Sequence, residues 1–334
     1  MMVISRTPFR VSLVGGGSDL RAYYARTRGA VMSMAINRYM YVTVNRRFDA
    51  SIRVSYSKTE IVDRVGDLQH DLIREAMRRT RLTSGIEITT IADLPAGIGL
   101  GSSSSLAVGV LNALYAFKGE WRSADELARD ACELEIETLG RPIGKQDQYI
   151  AAYGGFQLVE FLPDERVLTH PVVADHAVER RLVGNLQLYY SGMERDAGNV
   201  LKDVRHRLTT EADTRSALDQ IVAKVESLRA ALAAGRPDRL GALLDESWTL
   251  KKQTSSSVSN ATLDRLYTRA RRAGAVGGKV AGAGGGGCLL LYVLPSKQDA
   301  VRRTMLKAGL REIAFDLEPE GSRIVHFHRG ERRG

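Results

Sequence analysis

The sequence predicts an α+β fold in two domains, residues 1–182 and 183–334. Three observations carry this expectation. The first half is rich in short alternating or apolar runs closed by turn residues, which is strand patterning. The stretch from about 197 to 273 is mostly helical in pattern. Strands and helices mix without settling into regular βαβ alternation. The polar stretch "ADHAVERR" supplies the boundary, at about 180 to 185, and the length allows two cores.

Taken in order, "RVSLV" is a strand closed by Gly15, Gly16 and Gly17, and "YMYVTVN" alternates toward "SIRVSYS" across Asp49 and Ala50. A helix is predicted over about 67 to 81, then the strand "GIEITTIAD". After "LPAGIGLGSSSSL" an apolar helix runs through Leu106, Val110, Leu111, Leu114 and Phe117. Ser123 and Glu126 have capping-box spacing and start a helix that reaches about Gly140. "GGFQLVEF" and "NLQLYYSG" read as strands. Beyond the helical region come a glycine-rich loop, the strand "CLLLYVL", a helix over about 297 to 308 and the strand "SRIVHFH". There is no internal repeat.

Composition removes several function classes. Hydrophobic residues at 44% and charged residues at 26% describe an ordinary globular chain. The longest apolar run, Cys288 to Leu294, is too short to span a bilayer, and arginines interrupt the N-terminus where an export signal needs apolar residues. No membrane association and a cytoplasmic location are expected. Cys132 and Cys288 are the only cysteines, without CxxC spacing, which argues against a disulfide framework or structural zinc. The net charge of +9 is spread along the chain, and no basic segment interleaves with aromatics. Nucleic-acid binding is therefore not expected, although a basic nucleic-acid-binding protein is the rival from outside the enzymes.

Three glycine clusters carry the chemistry. In "LPAGIGLGSSSSL" a strand, a proline, alternating glycines and a serine-rich helix start would aim free N–H groups at an anion. The P-loop lysine is absent, so this is not a Walker sequence. In "KVAGAGGGGCLLLYVL" the glycines match GxGxxG but lead into a strand, which excludes the dinucleotide fingerprint. A backbone that must pass close to another loop or a ligand is the better reading. In "RTPFRVSLVGGGSDL", Arg6 and Arg10 flank a strand and Asp19 lies just beyond three glycines; an arginine and an aspartate around that turn would hold a polyhydroxyl ligand or form a surface ion pair.

The helix after Ser123 contains a misplaced carboxylate. At about 100° per residue, Leu127, Ala128, Ala131, Cys132, Leu134, Ile136 and Leu139 share one arc, with Glu126, Arg129, Asp130, Glu133 and Glu137 opposite. Glu135 projects into the apolar stripe. It needs a metal or a buried arginine to be tolerated there. Downstream, "GRPIGKQDQY" puts Asp147 in a short loop near Arg141 and Lys145. Two separated carboxylates, an anion cradle and loop cations together suggest phosphoryl transfer, with Glu135 on Mg²⁺ and Asp147 acting on an attacking hydroxyl.

In this order, "TPFRVSLVGGGSD", "LPAGIGLGSSSSL" and "KVAGAGGGGC" resemble the three motifs of the GHMP kinase superfamily. "GGGSDL", "ELEIETLGRPIGKQDQYIAAYGGF" and "SSSVSN" are similar to its sugar-kinase branch, which includes kinases of heptose phosphates. The resemblance implies an N-terminal domain like the second domain of ribosomal protein S5, a ferredoxin-like C-terminal domain, and an active site between them. It implies that Pro95, Gly97, Gly99, Gly101, Ser102, Ser103 and Ser104 surround the phosphates of ATP. Ser104, or its neighbour Ser103, would join Glu135 on Mg²⁺. Asp147 would be the catalytic aspartate and Arg10 would stabilise the reacting groups. Asp19 would bind sugar hydroxyls, with Gly16, Gly17, Gly284 and Gly285 close by. The implied activity is ATP-dependent phosphorylation of the anomeric hydroxyl of D-glycero-D-manno-heptose 7-phosphate, toward nucleotide-activated heptose. The alternative acceptor is an unphosphorylated sugar, L-fucose or galactose. A phosphorylated acceptor needs a basic clamp, for which Arg141, Lys145, Arg21, Arg195 and Lys202 are candidates. A homodimer is left open.

Overall fold

The computed structural model describes residues 1–172, 175–193 and 197–328. Its first sheet is built on two long antiparallel strands, β1 (Met2–Val14) and β2 (Gly29–Arg46), joined through the glycine turn and the short helix α1 (Arg21–Tyr24). β2 has 18 residues and therefore serves two neighbours on one edge. Its second half pairs with β5 (Ile86–Ala92) and its first half with β6 (Phe156–Phe161). β3 (Ile52–Ser55) and β4 (Thr59–Val62) extend the sheet beyond β5, and β7 (Val167–Pro171) extends it beyond β6.

Four helices cover one face of this sheet: α2 (Asp71–Thr80), α3 (Ser102–Lys118), α4 (Ala124–Cys132) and α5 (Gln146–Tyr153). The central helix, α3, is apolar nearly all round and is buried from Ala107 to Phe117. The Ser123–Glu126 capping box is present and starts α4. The helix expected to continue to about Gly140 does not stay α-helical, however: residues Glu133–Thr138 form a π-helix, with the Leu139 N–H reaching back five residues to Leu134.

The polar stretch read as the boundary is helical, α6 (His176–Gly184), and leads into β8 (Leu186–Tyr190). The helix-dense region is α7 (Ala197–Thr210), α8 (Ala212–Ala233), α9 (Arg239–Thr254) and α10 (Ala261–Ala273). They precede β9 (Gly277–Val280), β10 (Cys288–Tyr292), α11 (Gln298–Lys307) and β11 (Arg311–Glu312). The second sheet has the order β11-β8-β10-β9 and is antiparallel throughout. The last strand, β12 (Arg323–His328), returns to the first sheet and pairs with β1. A division at 182/183 thus separates β12 from the sheet that holds it.

The two sheets are joined by a continuous apolar layer. Phe9, Val11 and Leu13 of β1 pack in one cluster with Leu228 of α8, Leu243 of α9 and Leu290 and Tyr292 of β10. Among the described residues, no helix is long and apolar enough to cross a membrane.

Candidate active site

A cleft of about 320 Å³ opens at this junction, and all three glycine clusters reach it. Alternate glycines shape its first wall. Gly97, Gly99 and Gly101 take φ of 77°, 86° and 79°, values that glycine alone adopts without strain, which accounts for the G-x-G-x-G spacing. Gly101 is the N-cap of α3, and no side chain caps that helix. The N–H groups of its first turn are left facing the cleft, an anion site at a helix N-terminus. Gly101 also passes beside Arg10, with space for a Cβ only 3.1 Å from Arg10 Cγ.

Glu135 is fully buried, at 0% exposure, and it is the hub of this wall. Ser103 Oγ donates to Oε1 at 2.6 Å and Ser104 Oγ to Oε2 at 2.7 Å. Gln148 Nε2 donates to Oε2 at 2.7 Å, and an Arg141 nitrogen to Oε1 at 3.0 Å. Three uncharged donors and one guanidinium offset the burial of the carboxylate. Of the two readings of a buried Glu135, the arginine partner is present, and serine hydroxyls bond the carboxylate beside it. The four-serine run resolves by direction: Ser105 turns away and donates to the Pro8 carbonyl at 2.8 Å.

Asp147 is not in a loop. It sits in the first turn of α5, whose N-cap, Lys145, makes no side-chain cap. Without a capping residue this helix start had no sequence signal. Arg10 clamps Asp147 in a bidentate pair, Nε to Oδ1 at 2.6 Å and a terminal nitrogen to Oδ2 at 2.5 Å. The other terminal nitrogen donates to the Gly99 carbonyl at 2.7 Å. Arg10 thus ties the catalytic-aspartate candidate to the phosphate-loop candidate.

Asp19 lies buried at the N-terminus of α5, where its carboxylate accepts from the Gly17 amide at 3.0 Å and the Gln146 amide at 3.3 Å. Burial and then the charge of Asp147 push its carboxyl above the usual range, while the two amides pull the other way. Gly144 is required beside it, because a Cβ there would fall 1.9 Å from Asp19 Oδ2.

Gly16 and Gly17 line the cleft, as do Gly97, Gly99, Gly101, Ser102, Ser103, Ser104 and Arg141. Pro95, Gly284, Gly285 and Lys145 lie outside its lining. Pro95 is exposed. Lys145 is directed to Glu165 at 2.6 Å. The third glycine cluster contributes Gly282 and Ala283 to the cleft instead. Gly285 donates to the Val258 carbonyl at 2.6 Å, and Cys288 to the Ile98 carbonyl at 3.1 Å. The close backbone approach expected of this cluster is therefore to the "SSSVSN" segment and to the first glycine loop. Of the clamp candidates, Arg21 pairs with Glu165 at 2.7 Å, Lys202 is exposed outside the lining, and Arg195 lies outside the described residues.

Two cleft lysines escaped the sequence reading, Lys251 on α9 and Lys279 on β9. Lys251 donates to the Gly282 carbonyl. Lys279 is 5% exposed, and its ammonium reaches across to the Leu13 carbonyl on β1 at 3.0 Å. Burial, and next the charge of Arg10, bring it down to about 7 against the pull of Asp19. A charged residue in a run of four buried positions was its signal, masked by neighbouring glycines that read as loop.

Ser103, Ser104 and Glu135 offer hard oxygen donors of the kind Mg²⁺ prefers. Among the described residues no group of three or more His, Cys, Asp or Glu is placed to hold a metal. A Mg²⁺ at Glu135 would complete its shell with nucleotide phosphates and water, its usual habit in phosphoryl-transfer sites. The residues fit the ion.

The family models for the GHMP kinases N-terminal domain and the GHMP kinases C-terminal domain match residues 69–155 and 228–311. D-glycero-alpha-D-manno-heptose 7-phosphate kinase of Campylobacter jejuni is 32% identical, over 95% of this chain and 97% of its own length. The crystal structure of a D-glycero-D-manno-heptose 1-phosphate kinase from Bacteroides thetaiotaomicron superposes with a TM-score of 0.81 at 28% identity, covering 98% of this chain and all of that one. Lactococcus lactis galactokinase, solved with galactose, shares the fold with a TM-score of 0.77 at 18% identity, over 96% of this chain and 95% of its own. With a phosphate-loop geometry, a buried Glu135 hub and an Arg10–Asp147 pair in one cleft, and with these relatives along its whole length, the chain belongs to the GHMP kinase family as a sugar kinase.

Proposed function

We propose that the protein is an ATP- and Mg²⁺-dependent kinase of the anomeric hydroxyl of D-glycero-D-manno-heptose 7-phosphate, yielding the 1,7-bisphosphate. One observation carries the reading. The cleft has an anion cradle at the N-terminus of α3 on one side and the buried Asp19 carboxylate on the other, with Asp147 between elements that serve both. The heptose 7-phosphate relative supports the choice of acceptor.

The amides of Ser102, Ser103 and Ser104 hold the nucleotide phosphates. Ser104 and Glu135, with Ser103 adjacent, hold Mg²⁺, which when bound offsets charge on the phosphate oxygens. Asp147 orients the acceptor hydroxyl and takes its proton as the new O–P bond forms and the P–O bond to ADP breaks. Arg10 fixes both oxygens of Asp147 and so sets its orientation toward the acceptor hydroxyl. Asp19 receives acceptor hydroxyls. The clamp for a 7-phosphate falls to Lys251, since Arg10 and Arg141 are engaged with Asp147 and Glu135 and Lys279 stands beside Asp19.

The test is ADP release over a panel of D-glycero-D-manno-heptose 7-phosphate, the unphosphorylated heptose, L-fucose and galactose, with and without Mg²⁺. Preference for the heptose phosphate supports the reading, and preference for L-fucose or galactose replaces it with the unphosphorylated acceptor. No turnover of any sugar overturns it. Asp147→Asn is expected to lose at least about a thousandfold in kcat with ATP affinity nearly unchanged. Near-normal turnover in that variant would remove Asp147 from the mechanism.

A further inference from the structure

Two buried polar atoms on the acceptor side of the cleft have no hydrogen-bond partner among the described residues. They are Ser12 Oγ on β1 and Gln146 Oε1 at the start of α5. Both residues line the cleft, at 3% and 9% exposure. They face each other across Gly16: a Cβ on that glycine would lie 3.4 Å from Ser12 Oγ and 3.7 Å from Gln146 Nε2. The missing side chain keeps a notch open between them.

Charged neighbours complete the notch. The Gln146 backbone N–H holds Asp19, and the Lys279 ammonium bonds the carbonyl of Leu13, the residue after Ser12 on the same strand. An unpaired buried polar atom costs about 1–3 kcal/mol, and native proteins keep few of them without a partner that arrives later. The Gly16 notch concentrates two, beside a carboxylate and an ammonium.

We infer that Ser12 and Gln146, with Asp19 and Lys279, form a hydrogen-bonding floor that reads a pattern of neighbouring hydroxyls on the acceptor. Gln146 Oε1 and Asp19 accept, Lys279 donates, and Ser12 does either. A hydroxyl both donates and accepts, so a run of hydroxyls satisfies this set. An apolar group leaves the floor unpaired. A phosphate meets the Asp19 carboxylate and the Gln146 oxygen, and is turned away. The phosphorylated end of an acceptor therefore points away from Gly16, and the hydroxylated ring rests against it. This inference rests on the sugar-kinase reading and adds its specificity-determining residues.

Ser12→Ala and Gln146→Leu test it, with D-glycero-D-manno-heptose 7-phosphate as probe, or whichever panel sugar the wild type turns over. Each substitution is expected to raise the acceptor KM at least about tenfold, the equivalent of one lost hydrogen bond to a charged or buried partner. The ATP KM should stay within about twofold. Singly deoxygenated versions of the probe then separate contact from architecture. One analogue should lose about tenfold in kcat/KM with the wild type and almost nothing further with the variant that lacks its partner. Ser12→Ala removes one oxygen and is the safer fold; thermal melting checks Gln146→Leu. Wild-type acceptor KM in both folded variants, with a wild type that turns over sugar, overturns the floor alone. A wild type that turns over no sugar overturns the kinase reading and the floor with it.

Discussion

Replacing Lys279 by Met should make the protein more stable and a worse enzyme, and the stability gain should shrink as the pH rises. The ammonium is almost fully buried and has one hydrogen bond, to the Leu13 carbonyl, among the described residues. Arg10 on β1 opposes its charge and Asp19 in the glycine turn favours it. Its fall from 10.5 to about 7 corresponds to a folding penalty on the order of 5 kcal/mol. The folded-state value lies below the unfolded one, so between about pH 7 and 10.5 the unfolded chain holds a proton that the folded chain has released. Stability must then rise with pH across that window, at a limiting slope of about 1.4 kcal/mol per pH unit. Below about 7 both states are protonated and the penalty is complete. Methionine has similar volume and no charge to bury. Urea unfolding of the wild type and Lys279→Met at pH 6, 8 and 9.5 reads the effect. The variant's advantage should be greatest at pH 6, lower by about 1 kcal/mol at pH 8, and lower again at 9.5. Its acceptor KM should rise at least about tenfold with the ATP KM held. An advantage that grows with pH, or a variant less stable than the wild type at pH 6, would refute the account of Lys279 as a cation kept at a cost to stability.

Other perturbations follow from single contacts. Gly144→Ala places a Cβ 1.9 Å from Asp19 Oδ2, so it should cost about 1–3 kcal/mol in unfolding free energy and raise the acceptor KM by moving that carboxylate. Glu135→Leu leaves Arg141, Ser103, Ser104 and Gln148 without their shared acceptor; a stability loss of about 3–5 kcal/mol by denaturant titration is expected. Ser123→Ala removes the reciprocal capping box of α4 and should cost about 1 kcal/mol in the same titration while leaving kcat unchanged.

The parts of the site legible in the sequence are those whose chemistry is local. Gly97, Gly99 and Gly101 announce positive φ and open amides by their spacing, and Glu135 announces itself by breaking an apolar stripe. Even there the periodicity misjudged the backbone, because a hydrophobic pattern does not distinguish an α-helix from the π turns of Glu133–Thr138. What stayed hidden depends on contacts distant in sequence. Gly277 and Gly278 read as loop, yet they form β9; their bare backbones let α9 and β10 close in, with space for a Cβ only 1.9 Å from the Gly241 carbonyl. That misreading concealed Lys279. Ser12 looked like an ordinary strand residue until β1, α5 and the Gly16 turn were placed around it. β12 is strand-like in sequence, but nothing local says that its partner is β1.

In place of a P-loop lysine the cleft holds several cations, Arg10, Arg141, Lys251 and Lys279. Arg10 was expected to supply the missing charge, but three of its N–H directions are spent on Asp147 and the Gly99 carbonyl. Its charge is paired with the Asp147 carboxylate. Arg141 stands instead over Ser103 and Glu135, at the mouth of α3, where nucleotide phosphates would lie. Lys279 stands with Asp19, on the acceptor side. If the two cations divide the substrates in this way, Arg141→Met raises the ATP KM about tenfold or more with little change in the acceptor KM, and Lys279→Met does the reverse. Initial-rate kinetics with both substrates varied resolves the four constants. Should Arg141→Met raise both KM values together, the two cations act on one shared charge, and the separation of nucleotide and acceptor sides in this cleft is wrong.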